Sequence, residues 1–276
     1  MRFRDSLRAL AALALAAAAA GATHAAPAAT VREQIAARLG EQLPGVPAAD
    51  YALGSAAFDP ELRRALEENA GAATPVIEAG RKLWTRKFRN GRSLAGCFPN
   101  GGRRIAARYP HYDSRLKLVV TLPLAINQCL KAHNETVFDP ADPQTMGAVL
   151  AYLRSLSRGL KVAVRVPAAA APRFEQGRSL YFARLGQRNF ACASCHLQGA
   201  GKRYGEAPLS PAIGQATHWP VIRGGAPLTL HARMRECLEL MGAAPFPAGS
   251  DELNNLEYFL TYLSNGLPLN PTAWRP

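Results

Sequence analysis

The sequence predicts a mainly α-helical protein built from two tandem copies of one helical module, and three observations carry that reading. Segments with apolar residues at helical spacing far outnumber any with the alternation of a strand. Four short motifs occur twice, in the same order. Between the two sets lies Val166-Pro167-Ala168-Ala169-Ala170-Ala171-Pro172, whose prolines and alanines have the composition of a linker.

Taken in order, residues 1–25 read as an export signal. Arg2, Arg4 and Arg8 precede an apolar run from Ala9 to Ala20, and the small residues of Gly21-Ala22-Thr23-His24-Ala25-Ala26 place cleavage just after Ala25. That run is too short and too rich in alanine to span a membrane, and nothing later approaches the needed length. The expectation is a periplasmic protein with no membrane span. Residues 26–74 are expected to form an N-terminal helical extension, with helical patches over 31–40 and 60–69 broken by Pro44, Pro47 and Gly54. The extension offers no residue with evident chemistry. The two modules then occupy 75–165 and 173–276, with 166–172 as the linker.

Glu78-Ala79-Gly80-Arg81-Lys82-Leu83-Trp84 opens the first module, and Glu175-Gln176-Gly177-Arg178-Ser179-Leu180-Tyr181 opens the second. Leu94-Ala95-Gly96-Cys97-Phe98 then stands where the second copy has Cys192-Ala193-Ser194-Cys195-His196. Thr121-Leu122 precedes Cys129 as Thr229-Leu230 precedes Cys237, at the same threonine-to-cysteine spacing of eight. Last, Val149-Leu150-Ala151-Tyr152-Leu153 answers Phe259-Leu260-Thr261-Tyr262-Leu263, an apolar helix closing each module. Strand patterning is scarce, and 117–122 is its best example.

The formal charge is +13, of which residues 1–8 contribute +2 through three arginines and one aspartate, leaving +11. In an exported chain without a groove-reading motif, such charge suits small anions or an acidic protein partner, and nucleic acid is not expected. On charge alone, a merely solubilising role fits equally.

The segment Cys192-Ala193-Ser194-Cys195-His196 is a covalent haem-attachment motif. Two thiols add to the haem vinyl groups, and the adjacent histidine becomes the proximal iron ligand. A redox dithiol would need a strand before it and a βαβ context, and a zinc site would need further spaced ligands; neither is present. One covalently bound haem c follows, in a second module that is cytochrome c-like. The first module has Leu94 and Phe98 in place of a cysteine and the ligand histidine, so it is expected to be a cytochrome c-like domain without haem.

Five cysteines in an oxidising compartment need an accounting. Two serve the haem. Cys97 and Cys129 match Cys195 and Cys237 of the other copy, positions that both approach the haem, so the first pair is expected to form a disulfide across the filled pocket. Cys237 is left over. On its helix, Cys237, Met234 and Met241 compete for the distal face of the iron; methionine is the ordinary ligand of electron carriers, whereas the duplicated spacing and the otherwise idle thiol favour Cys237. His218 and His231 are further possible ligands. Arg233 lies four residues before Cys237, on the same helix face, where a guanidinium favours thiolate and can bind an oxyanion. A salt bridge from Arg233 to Glu236, Glu239 or a haem propionate is the competing use.

On these residues, together with Cys97-Phe98-Pro99-Asn100-Gly101, Tyr109-Pro110-His111-Tyr112-Asp113 and Pro245-Phe246-Pro247-Ala248-Gly249-Ser250, the chain resembles the SoxA family. That family supplies the cytochrome subunit of periplasmic SoxAX complexes in bacterial sulfur oxidation. The likeness runs from about Gly80 to Pro271. It implies that Cys237 is the distal haem ligand and can carry an extra sulfur as a persulfide, and that Arg233 belongs to the active site. It further implies an L-cysteine S-thiosulfotransferase, which oxidatively joins thiosulfate to a cysteine of the SoxYZ carrier while a SoxX-like cytochrome c subunit completes the complex. One attachment motif points to a single-haem form. The asparagine and arginine expected shortly after the distal cysteine are absent from Leu238-Glu239-Leu240-Met241-Gly242-Ala243-Ala244-Pro245. The alternative functions are a plain electron-transfer cytochrome c with Met234 or Met241 as distal ligand, and a scaffold for a partner haem protein.

Overall fold

Helix α1 (Ala28–Gln42) turns Val31, Ile35 and Leu39 inward at one-turn spacing, which docks it as an amphipathic helix. The structure, a computed structural model, describes residues 27–276; the export signal and its cleavage after Ala25 lie outside them. A 3₁₀ stretch, Ala48–Ala57, follows and kinks at Gly54, whose φ of 63° suits glycine. Helix α2 (Pro60–Glu68) starts on a proline, and the Asp59 side chain accepts from the Leu62 N–H.

The first module contains α3 (Thr74–Thr85), α4 (Leu122–Ala132) and α5 (Ala148–Ser155). The second contains α6 (Ala171–Phe182), α7 (Leu230–Leu240) and α8 (Asp251–Leu263). Thr121 caps α4 by accepting from the Leu124 N–H, and Thr229 caps α7 by accepting from the Ala232 N–H. The shared threonine-to-cysteine spacing therefore places Cys129 and Cys237 at the same point of equivalent helices. The linker residues Ala171 and Pro172 are the first turn of α6, and Ala168–Ala170 form a 3₁₀ turn ahead of it.

The opening and closing helices of each module cross at a glycine. A Cβ on Gly80 would lie 1.9 Å from the Ala148 carbonyl oxygen and 2.9 Å from Tyr152 Cβ. A Cβ on Gly177 would lie 2.0 Å from the Asn255 oxygen and 3.0 Å from Phe259 Cβ. These contacts correct the sequence alignment of the closing helices: Tyr152 stands where Phe259 stands, not Tyr262. The slip is three residues, close to one helical turn, so the wrong register shows nearly the same apolar face.

Strands are few and short. β1 (His111–Asp113) and β2 (Leu118–Val120) form a hairpin, and β2 falls within the strand-patterned segment 117–122. β3 (Arg203–Tyr204) pairs with β4 (Ala207–Pro208), and β5 (Val221–Arg223) lies between antiparallel β6 (Ala226–Leu228) and parallel β7 (Trp274–Arg275). The buried residues of the two modules and of α1 join in one apolar core. Thr121 donates to Asn254 Oδ1 over 3.1 Å and Arg154 to the Ala216 carbonyl over 2.7 Å, tying module to module.

The extension wraps the second module. Arg32 donates to the Leu263 and Asn265 carbonyls at 3.1 and 2.7 Å, capping α8. Ser55 donates to Pro208 O over 2.9 Å, and Thr217 donates to Ala52 O over 3.2 Å.

Candidate haem-binding site

A cavity of about 390 Å³ opens in the second module, bounded by the attachment motif on one side and α7 on the other. Cys192, Cys195 and His196 all line it, as do Arg233 and Cys237. Its walls are mostly apolar, with Leu180, Leu185, Phe190, Leu256 and Leu260 among them, and its size is that of a cofactor pocket. The five residues that the motif and the α7 pattern single out in this module are thus brought together.

His196 sits on a wide helical turn, Ser194–Gln198, whose path is held by the Ala212 N–H donating to the His196 carbonyl over 2.7 Å. His196 Nδ1 lies 2.9 Å from the Ser210 carbonyl oxygen. A carbonyl only accepts, so Nδ1 carries the proton and Nε2 keeps its lone pair free for a metal. Desolvation pushes His196 down to about 4, opposed by the Ser210 carbonyl and reinforced by the Arg233 charge, although the residue as a whole is only partly buried. A neutral imidazole with a fixed tautomer is the state an iron ligand requires.

The three thiols outside the disulfide are Cys192, Cys195 and Cys237. Burial pushes Cys192 up to about 12, and the neighbouring Cys237 adds to that shift. Cys237 is also raised by burial, with Arg233 pulling the other way. The sequence expectation that Arg233 favours thiolate thus holds for its own contribution, but desolvation outweighs it in the chain alone. An iron at the thiol would reverse that balance, because a coordinating thiol is deprotonated outright.

Arg233 Nη1 donates to Glu236 Oε2 over 3.0 Å, and Arg223 donates to the same oxygen over 3.0 Å while its second nitrogen bonds Oε1. The salt bridge weighed as the competing use of Arg233 is therefore formed, and through it Glu236 holds two cavity-lining guanidiniums beside Cys237. Met234 and Met241 line the same cavity, as does His218. His231 sits apart: its Nδ1 accepts from the Gly249 N–H over 3.0 Å and its Nε2 lies 3.1 Å from Glu257.

In the first module Cys97 and Cys129 form a disulfide with Cα atoms 6.1 Å apart. Phe98, in the place of the ligand histidine, packs on Trp84 with ring centroids 5.0 Å apart, and both are buried in the core.

Several cavity residues carry no sequence signal. Gly54, Ser55 and Leu62 come from the extension, which offers no evident chemistry in sequence, and Arg223, Trp219 and Arg275 come from segments with no motif. The one local hint at Gly54 is the glycine itself, which the structure places at positive φ.

The residues fit a c-type haem: two accessible thiols and an imidazole with a free Nε2 face a cavity of cofactor size. The family description SoxA/TsdA, cytochrome c domain, matches residues 79–162 and 176–269. The L-cysteine S-thiosulfotransferase subunit SoxA of Allochromatium vinosum is 41% identical over 253 residues, spanning 88% of this chain and 89% of the relative. The protein of the same name from Chlorobaculum thiosulfatiphilum is 39% identical over 240 residues, spanning 85% and 83%. The crystal structure of SoxXA from P. pantotrophus superposes with a TM-score of 0.72 at 26% identity, covering 79% of this chain and 84% of that one. Motif, cavity and likeness agree: the chain belongs to the SoxA family of cytochrome c proteins.

Proposed function

We propose that this chain is the catalytic haem subunit of a periplasmic thiosulfate-oxidising complex, an L-cysteine S-thiosulfotransferase that works on a SoxY-type carrier cysteine. The observation that carries the reading is the meeting of Cys192, Cys195, His196, Arg233 and Cys237 on one cavity. His196 and Cys237 would ligate the iron as proximal and distal residues, and Cys192 and Cys195 would anchor a single haem c covalently. The first module holds none, since Phe98 and the Cys97–Cys129 disulfide occupy its equivalent positions.

In the overall reaction the carrier's S–H bond breaks and a bond forms between its sulfur and the terminal sulfur of thiosulfate. One proton and two electrons leave. Bound haem c supplies the one-electron acceptor that a bare thiol lacks. Arg233 and Arg223 hold the anion beside the sulfur of Cys237. Their fixed, planar donors suit an oxyanion. The apolar wall around Leu256 and Leu260 keeps water from the sulfur. A SoxX-type cytochrome is the partner that receives the electrons, and the likeness to the crystal structure of SoxXA supports that pairing. Among the described residues no helix is long and apolar enough to cross a membrane.

The test is carrier-dependent thiosulfate oxidation by the assembled complex. A Cys237→Ala variant with full haem content should lose turnover, and full retained activity in that variant would remove Cys237 from the chemistry.

A further inference from the structure

A cation on the β7 side of the cavity has no acid to meet. Arg275 lines the cavity, and burial pushes it down to about 10. Its guanidinium donates to two backbone carbonyls, Leu53 O at 3.0 Å and Trp274 O at 2.9 Å. Among the described residues no carboxylate pairs with it. A buried cation with only neutral partners is costly.

His218 is next to it and only 4% exposed. Its Nδ1 is buried and completes no hydrogen bond, although the Ala52 and Gly214 carbonyls approach the ring. Trp219 Nε1 is likewise buried without a partner, and both side chains line the cavity. Neither atom has accessible surface through which a ligand in the cavity could reach it, so the donor left to meet such a ligand is Arg275.

Gly54 packs directly against Arg275 and His218. A Cβ there would lie 3.1 Å from Arg275 Nη2, 3.3 Å from His218 Cε1 and 3.8 Å from His218 Nδ1. The positive-φ glycine of the extension lets the guanidinium sit there, where a side chain would press on it. Arg223 and Arg233, by contrast, share the Glu236 carboxylate, and the one positive charge left over is what holds the thiosulfate anion in the proposed reaction.

Haem c brings two carboxylates, carried on the porphyrin edge remote from the vinyl groups that the motif thiols capture. With Cys192 and Cys195 fixing one edge, these acids need partners elsewhere on the wall. We propose that Arg275 binds a haem propionate, with Gly54 making room for its guanidinium. This rests on the haem reading of the Cys192 cavity. The extension that supplies Gly54 and the β7 strand that supplies Arg275 are then parts of the cofactor site, although neither lies near the attachment motif in sequence.

The experiment compares holo-protein and Arg275→Gln, both free of thiosulfate, by redox titration and by the propionate bending modes in resonance Raman spectra. Losing the cation leaves the carboxylate uncompensated and favours the ferric state, so the midpoint potential should fall and the propionate modes should shift. The exposed Arg86→Gln should change neither. If Arg275→Gln does not fold, Arg275→Lys keeps a charge but loses the planar fork and should still shift the modes. Unchanged modes and potential would overturn the proposal; if they came with a raised thiosulfate KM, the site's anion would be substrate. Absence of covalent haem from the wild-type protein is a different result, and it would sink the haem reading itself.

Discussion

Gly177 on α6 presses so closely on Asn255 of α8 that a Cβ would sit 2.0 Å from the Asn255 carbonyl oxygen. Gly80 and Ala148 repeat the contact in the first module, at 1.9 Å. Backbone cannot swing away as a side chain can, so Gly177→Ala should force the helices apart and cost at least 1–3 kcal/mol, roughly the overpacking range. Gly40, inside α1 with nothing within 4 Å of its Cβ position, is the contrasting site. Gly40→Ala should stabilise by up to about 1 kcal/mol. Urea midpoints of the two variants check both signs.

The Cys97–Cys129 disulfide closes a loop with a sequence separation of 32. Replacing both cysteines by serine should cost about 3–4 kcal/mol through the unfolded state, on the loop-entropy account. Because the disulfide lies in the first module, the haem spectrum of the native protein should not change. Denaturant unfolding and visible absorbance of the same sample separate the two effects.

Glu236 holds Arg223 and Arg233 together, and its charge state decides whether it can. Burial raises its pKa, but the hydrogen bonds and charges of the two arginines outweigh burial and leave it below the ordinary carboxylate value. A depressed carboxylate contributes its stabilisation above the unfolded pKa, about 4.3, and loses it as pH falls through the lower folded value. The thiosulfate KM of the wild-type complex should therefore stay level from pH 7 to about 5, as far as this group is concerned. Glu236→Gln should raise KM about ten-fold at neutral pH, equivalent to about 1.4 kcal/mol. KM against pH for the two proteins is the measurement; a Glu236→Gln variant with wild-type KM would free the arginines from this role.

Much of this arrangement is legible in the residues. The motif at 192–196 is local, because covalent chemistry demands adjacent groups, and the Thr229-to-Cys237 spacing is local because one helix carries both. What escapes is non-local. The extension shows only amphipathic patches in sequence, yet Gly54 and Ser55 reach the cavity through contacts with residues more than 150 positions away, such as Ser55 with Pro208 and Leu53 with Arg275. Sequence matching sets the closing helices three residues out of register because a slip of nearly one turn preserves the apolar face; only the glycine contacts resolve it. Arg223 and Arg275 escape because an arginine on a short strand has no signature until the fold supplies its neighbours.

The central claim is that Cys237, and not Met234 or Met241, meets the iron opposite His196; all of these residues line one cavity. Ferric-state optical and electron paramagnetic resonance spectra of the wild type, Cys237→Ala, Met234→Leu and Met241→Leu test it most directly. The account predicts that the wild type lacks the weak far-red band of methionine ligation, that both methionine variants keep the wild-type spectrum, and that only Cys237→Ala changes the axial ligand. A far-red methionine band in the wild type that vanishes in Met234→Leu or Met241→Leu and survives in Cys237→Ala would contradict it.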